Sequence, residues 1–147
     1  MTVMHVRVFR FVLNFIGLTA LVLAISIAAD VFFQVELGNA GTSILPLLLA
    51  ASLEGSHHIR RYGEAPTKGA IWRAALLMTL LATGLSLIFV AVWLSVDTET
   101  LRTLGEAPLV AWPILFVVVI ALNLVVSRGG IGVGIRSGRR AMAKAAH

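Results

Sequence analysis

The stretch Glu54-Gly55-Ser56-His57-His58-Ile59-Arg60-Arg61-Tyr62-Gly63-Glu64-Ala65-Pro66-Thr67 separates two apolar segments of the chain. It contains two adjacent histidines and a carboxylate, Glu54, inside a hydrophobic run. Its basic side chains decide the fold. Arg60, Arg61, Lys68 and Arg73 lie between the second and third apolar segments, and Arg7 and Arg10 precede the first. Arg128, Arg136, Arg139, Arg140 and Lys144 follow the fourth. If all four segments cross a membrane, every Lys and Arg except Arg102 falls on one side. Arg102 then shares the other side with Asp30, Glu36, Asp97, Glu99 and Glu106. Positive side chains flank the cytoplasmic ends of spanning helices. The expectation is an all-α membrane protein with four transmembrane helices in two antiparallel hairpins and both termini cytoplasmic. A re-entrant second segment would put the basic C-terminal stretch on the side opposite the basic loop.

Composition points the same way. Of 147 residues, 59% are hydrophobic and 13% charged, and the mean hydropathy is +0.95. A soluble domain is roughly half apolar and a quarter charged, and one of this size could not hide so much Leu, Val, Ile and Ala. The net charge of +5 is distributed as topology determinants, without interleaved stacking aromatics, so nucleic acid is not an expected partner. With no cysteine there is no disulfide framework, thiolate metal site or cysteine nucleophile.

The pattern predicts helices over about 8–30, 39–59, 70–94 and 109–127, forming a transmembrane domain over 1–128. Residues 129–147 read as a Gly- and Arg-rich cytoplasmic tail. Phe11 to Ala29 is longer than the ~7–15-residue core of a signal peptide, so it is expected to remain as helix 1. Helix 2 is the shortest apolar run, Ile44 to Leu53, with Pro46 placed near its first turn. Trp72 and Trp93 mark the two ends of helix 3 as interfacial.

Helices in lipid associate through small residues and polar side chains. Gly17, Ala20, Ala24 and Ala28 on helix 1 are expected to face the bundle. So are Ala75, Thr79, Ala82, Thr83 and Ser86 on helix 3, with Leu76, Leu77, Leu80, Leu87 and Ile88 toward lipid. At about 1.5 Å rise per residue, Asn14, Glu54, Thr79 and Asn123 all lie ~6–9 Å inside the basic boundary. Glu54 is therefore expected to anchor a polar layer with Asn14, Asn123 and Thr79, with His57 one turn away. The competing reading is that Glu54 reaches back to the interface.

Catalytic constellations are weak. Glu54-x-x-His57 has the spacing of a di-iron ligand pair, but it lacks a second pair and the further glutamates, so neither metal nor cofactor is expected. Gly63-Glu64-Ala65-Pro66 recurs as Gly105-Glu106-Ala107-Pro108, and turn chemistry before a helix explains both. The run Gly129 to Gly138 superficially resembles a phosphate loop, yet it has no Gly-Lys-Ser/Thr ending and no preceding strand. Arg136, Arg139, Arg140 and Lys144 would share a face if the tail became helical. Each would then contribute about 1 kcal/mol of attraction to anionic lipid headgroups.

The block Ala50-Ala51, His57-His58-Ile59-Arg60-Arg61, Gly63-Glu64-Ala65-Pro66-Thr67 and Trp72 resembles a family of small uncharacterised bacterial inner-membrane proteins. Its pattern is a short second helix, a basic exit, a Gly-x-Ala-Pro-Thr turn and a Trp-containing helix start. The resemblance covers about forty residues. It implies four membrane helices and a bacterial inner membrane, and it carries no site. The functional expectation is a non-enzymatic accessory or assembly partner, binding a membrane protein or a second copy of itself. The alternatives are a small proton-linked transporter centred on Glu54 and a four-helix immunity-type protein.

Overall fold

The computed structural model describes residues 4, 6–33, 39–97, 99, 102, 105, 108 and 110–145, without the side chains of 30, 32 and 33 or of 39–43. Among the described residues there are four helices: α1 (Val8–Phe33), α2 (Asn39–Tyr62), α3 (Lys68–Val96) and α4 (Ala111–Ala145). Three of them, α1 over Val8–Ala29, α3 and α4, are long and apolar enough to cross a membrane. α2 falls short of that mark, because Glu54, His57, His58, Arg60 and Arg61 occupy its last three turns.

The helix boundaries follow local chemistry. α2 ends at Gly63, whose φ of 71° is a left-handed conformation that suits a residue without Cβ. The Gly63 N–H donates to the Ile59 carbonyl at 2.9 Å. Pro66 is buried and Thr67 caps α3, its hydroxyl accepting from the Ala70 N–H at 3.3 Å. Pro46 sits two turns inside α2, farther in than its expected first-turn place, so the Thr42 carbonyl has no proline N–H to accept from.

The largest departure from expectation is the C-terminal stretch. No boundary occurs at 128/129; α4 runs unbroken for 35 residues, about 52 Å at 1.5 Å per residue. Gly130, Gly134 and Gly138 are buried in it. Four glycines between 129 and 134 should weaken a helix, each by roughly 0.5–1 kcal/mol relative to alanine. Docking overrides that tendency, because the glycines let α4 lie directly on the backbone of α2.

The packing order across the molecule is α1–α2–α4–α3. α2 and α4 share the most extensive contact, followed by α1 with α2 and α3 with α4; α1 touches α3, and α2 touches α3, only slightly. The hairpin partners are antiparallel, whereas α2 and α4 run parallel, since Gly130, Gly134 and Gly138 meet Leu48, Ser52 and Ser56 in the same order. The α2 residues that meet α4 here are Leu48, Ala51, Ser52, Gly55, Ser56 and Ile59, at helical i, i+3, i+4 spacing, and Ala51 and Ile59 among them belong to the buried core. Phe11 and Phe15 of α1, stacked at 6.2 Å, pack on the same core.

Helix 3 follows its predicted faces at every position except Ser86. Ala75, Thr79, Ala82 and Thr83 are buried, while Leu76, Leu77, Leu80, Leu87 and Ile88 are exposed; Ser86 is exposed too. Helix 1 does the opposite: Gly17, Ala20, Ala24 and Ala28 are all exposed. Phe11 and Phe15, not the small residues, turn toward α2. Two aromatic rings fill the space beside the alanines of that helix better than alanine against alanine.

Candidate functional site

Among the described residues, the buried polar side chains fall in two places: Glu54 and His58 near the end of α2, and Thr79, Thr83 and Ser127 between α3 and α4. Glu54 is 2% exposed, carried inward on the face of α2 that also bears Ala50 and Ala51. An ionised carboxylate so placed requires a partner. Arg10, at the start of α1, supplies it. Its Nε donates to Oε1 at 2.8 Å and its Nη2 to Oε2 at 2.7 Å, a bidentate guanidinium–carboxylate fork. Arg10 retains 28% side-chain exposure while the carboxylate is 2% exposed, so the anion is the more enclosed partner.

The expected polar layer therefore splits in two. Glu54 is bonded by Arg10 and not by Asn14 or Asn123; the Asn123 amide is turned to Thr83 instead. Asn14 is partly buried on α1 one turn beyond Arg10. The other half of the layer lies between α3 and α4, where the Thr79 hydroxyl donates to Ser127 Oγ at 3.4 Å and Asn123 Nδ2 donates to Thr83 Oγ1 at 3.3 Å. These rungs tie antiparallel helices, 79 to 127 and 83 to 123. Arg10 was legible only as a topology charge, although it precedes helix 1 at the membrane boundary from which the depth of Asn14 is counted.

The histidine pair also divides. His57 is exposed and His58 buried, the latter with its ring against Tyr62 at 4.8 Å. Among the described residues, no three His, Asp or Glu side chains come together.

The glycine contact is the second component of this end. A Cβ on Gly130 would lie 2.7 Å from the Leu48 carbonyl oxygen, and one on Gly55 would lie 2.5 Å from that of Ile131. On Gly134 it would overlap the Ser52 carbonyl, and on Gly138 the Ile59 side chain. Gly130-x-x-x-Gly134-x-x-x-Gly138 is a small-xxx-small series, and its four-residue period is the signal in the sequence that marks it.

Arg136, Arg139, Arg140 and Lys144 are exposed along the last turns of α4. Arg128 lies over the Trp72 ring with its guanidinium carbon 4.4 Å from the centroid. No family model, no curated protein and no solved structure matches this chain.

Proposed function

We propose that the chain is a non-enzymatic integral membrane protein whose four helices all insert in a bacterial inner membrane, with both termini cytoplasmic. In this reading it serves as an assembly partner for another transmembrane segment, from a different protein or a second copy. The observation that carries it is the exposed Gly17, Ala20, Ala24 and Ala28 series on α1. Small residues allow close helix approach in lipid, and within the chain this series touches no neighbour at Gly17, where an added Cβ would meet nothing within 4 Å.

The orientation is supported by the distribution of Lys and Arg and by the Arg10–Glu54 pair, which brings the start of α1 beside the end of α2. That pair weighs against a proton-linked carrier. A carrier's carboxylate must exchange protons during transport, whereas both oxygens of Glu54 are held by one guanidinium.

The test is purification from its membrane in mild detergent, with mass spectrometry of the product beside an Ala20→Leu/Ala24→Leu variant. A stoichiometric transmembrane partner or a second copy, lost in the variant, is expected. Recovery of bare monomer, or the same complex with and without the substitutions, contradicts the reading.

A further inference from the structure

One face of α4 carries Arg128, Gly132, Arg136, Arg140 and Lys144, a single row of positions four apart. Residues four apart are neighbours on a helix surface, so the cations line up except where Gly132 leaves a gap. The gap is real space: a Cβ on Gly129 or Gly132 would meet nothing within 4 Å. Trp72 of α3 forms the opposite wall, and Arg128 and Arg136 stand at the sides of the resulting groove, whose volume is ≈ 420 Å³. A second groove adjoins it, lined by Arg136, Arg140 and Lys144. The two share Arg136 and Val133.

The chemistry of these walls is specific. Val125 and Val133 add exposed apolar side chains to the lining, and Trp72 is a side chain that favours the headgroup level. Arg128 is held against the Trp72 face, which fixes one cation in place. Arg136 and Arg140 extend the positive field by further turns. A ligand suited to this surface has acyl chains for the valines and phosphates for the arginines. Basic pockets between transmembrane helices on the cytoplasmic side are built to take such headgroups. Arg128, Arg136 and Arg140 are spread over about 18 Å of helix at 1.5 Å per residue, farther than one phosphate reaches, so two phosphates on one headgroup fit better than one.

We propose that Trp72, Arg128, Gly132, Arg136 and Arg140 form a binding site for a diacidic phospholipid, one carrying two phosphates on a shared headgroup. Arg139 lies outside both grooves, so the site is a defined groove and not a general attraction of the basic stretch. The inference requires only that this end of α3 and α4 meets a lipid surface, and it is independent of what binds α1.

The experiment uses the full chain with Trp93→Phe and Trp112→Phe, leaving Trp72 as the sole tryptophan. It is reconstituted in phosphatidylcholine vesicles containing a minor fraction of brominated lipid, a quencher of tryptophan fluorescence. A brominated diacidic phospholipid should quench Trp72 several-fold more than the same mole fraction of bromine on phosphatidylcholine or on a monoacidic phospholipid. Arg128→Gln/Arg136→Gln should reduce that excess to the bulk level, whereas Arg139→Gln should preserve it. Gly132→Leu fills the groove without changing charge, and it too should abolish the excess. Helical content by circular dichroism should be retained in all variants, since the altered positions are exposed or open. Quenching that follows mole fraction regardless of headgroup, or that survives Gly132→Leu, overturns the proposal. So does relief of quenching by excess inorganic phosphate, which would place a free anion in the groove instead.

Discussion

Arg10 and Glu54, 44 positions apart in the chain, meet in a two-bond fork of 2.8 and 2.7 Å that fastens the start of α1 to the end of α2. The pair is asymmetric, since Glu54 is enclosed and Arg10 is partly exposed. Removing one member of a buried pair is far more damaging than removing both, because the survivor is left as an uncompensated charge.

That asymmetry ranks the variants. Arg10→Gln strands the enclosed anion and should destabilise the fold by about 3–5 kcal/mol. Glu54→Gln leaves a cation that can turn outward, so its effect should fall at or below the lower end of that range. Arg10→Leu/Glu54→Leu should recover most of the loss. Unfolding in mixed micelles by a graded denaturing detergent gives the three values. An Arg10→Gln protein as stable as the parent would show that the ion pair contributes nothing.

Two glycines only two residues apart should respond in opposite ways. At Gly134 a new methyl would overlap the Ser52 backbone carbonyl, which cannot move without shifting α2. At Gly132 the space is open. Gly134→Ala should therefore lower stability by about 1–3 kcal/mol, the usual penalty for overpacking. Gly132→Ala should be neutral or stabilising by up to roughly 1 kcal/mol, through reduced backbone freedom. The same denaturation assay reads both, and equal losses would contradict the packing.

Much of this arrangement is legible in the sequence. Periodicity and turn chemistry mark the four helices, and the alternation of small and Leu positions on α3 indicates which face packs. Two features are not recoverable by the same logic. Gly129 to Gly138 reads as flexible because intrinsic propensity disfavours glycine in helices, and only the presence of α2 beside it reverses that preference. Arg10 reads as a topology charge because its sequence distance from Glu54 conceals their adjacency. On α1, the small residues suggest a packing face, but Phe11 and Phe15 occupy the contact with α2 instead.

The proposed topology can be tested in intact cells because the chain has no native cysteine. Single cysteines replacing Glu64 and Lys144 should react with an impermeant thiol reagent only after the membrane is opened. A cysteine at Glu99 should react from outside. Labelling of Lys144→Cys and Glu99→Cys from the same side would exclude four crossings.

The polar rungs between α3 and α4 should matter less than the ion pair. Thr79→Val removes the hydroxyl that meets Ser127, and Thr83→Val removes the acceptor for Asn123. Hydrogen bonds between membrane helices contribute about 0.6–2 kcal/mol. Each substitution should stay within that range in the same unfolding measurement. A loss as large as that of Arg10→Gln would place the rungs level with the ion pair and contradict the ranking.

The docking of the last four turns of α4 on α2 is the central structural claim, and amide hydrogen exchange in lipid nanodiscs tests it directly. The amides of residues 131–142 should exchange slowly, as in a packed helix. Gly134→Leu, whose side chain would strike the Ser52 backbone, should release that protection, whereas Gly132→Leu, at an open position, should keep it. Fast exchange over 131–142 in the parent, or equal loss of protection in both variants, would contradict the docked helix.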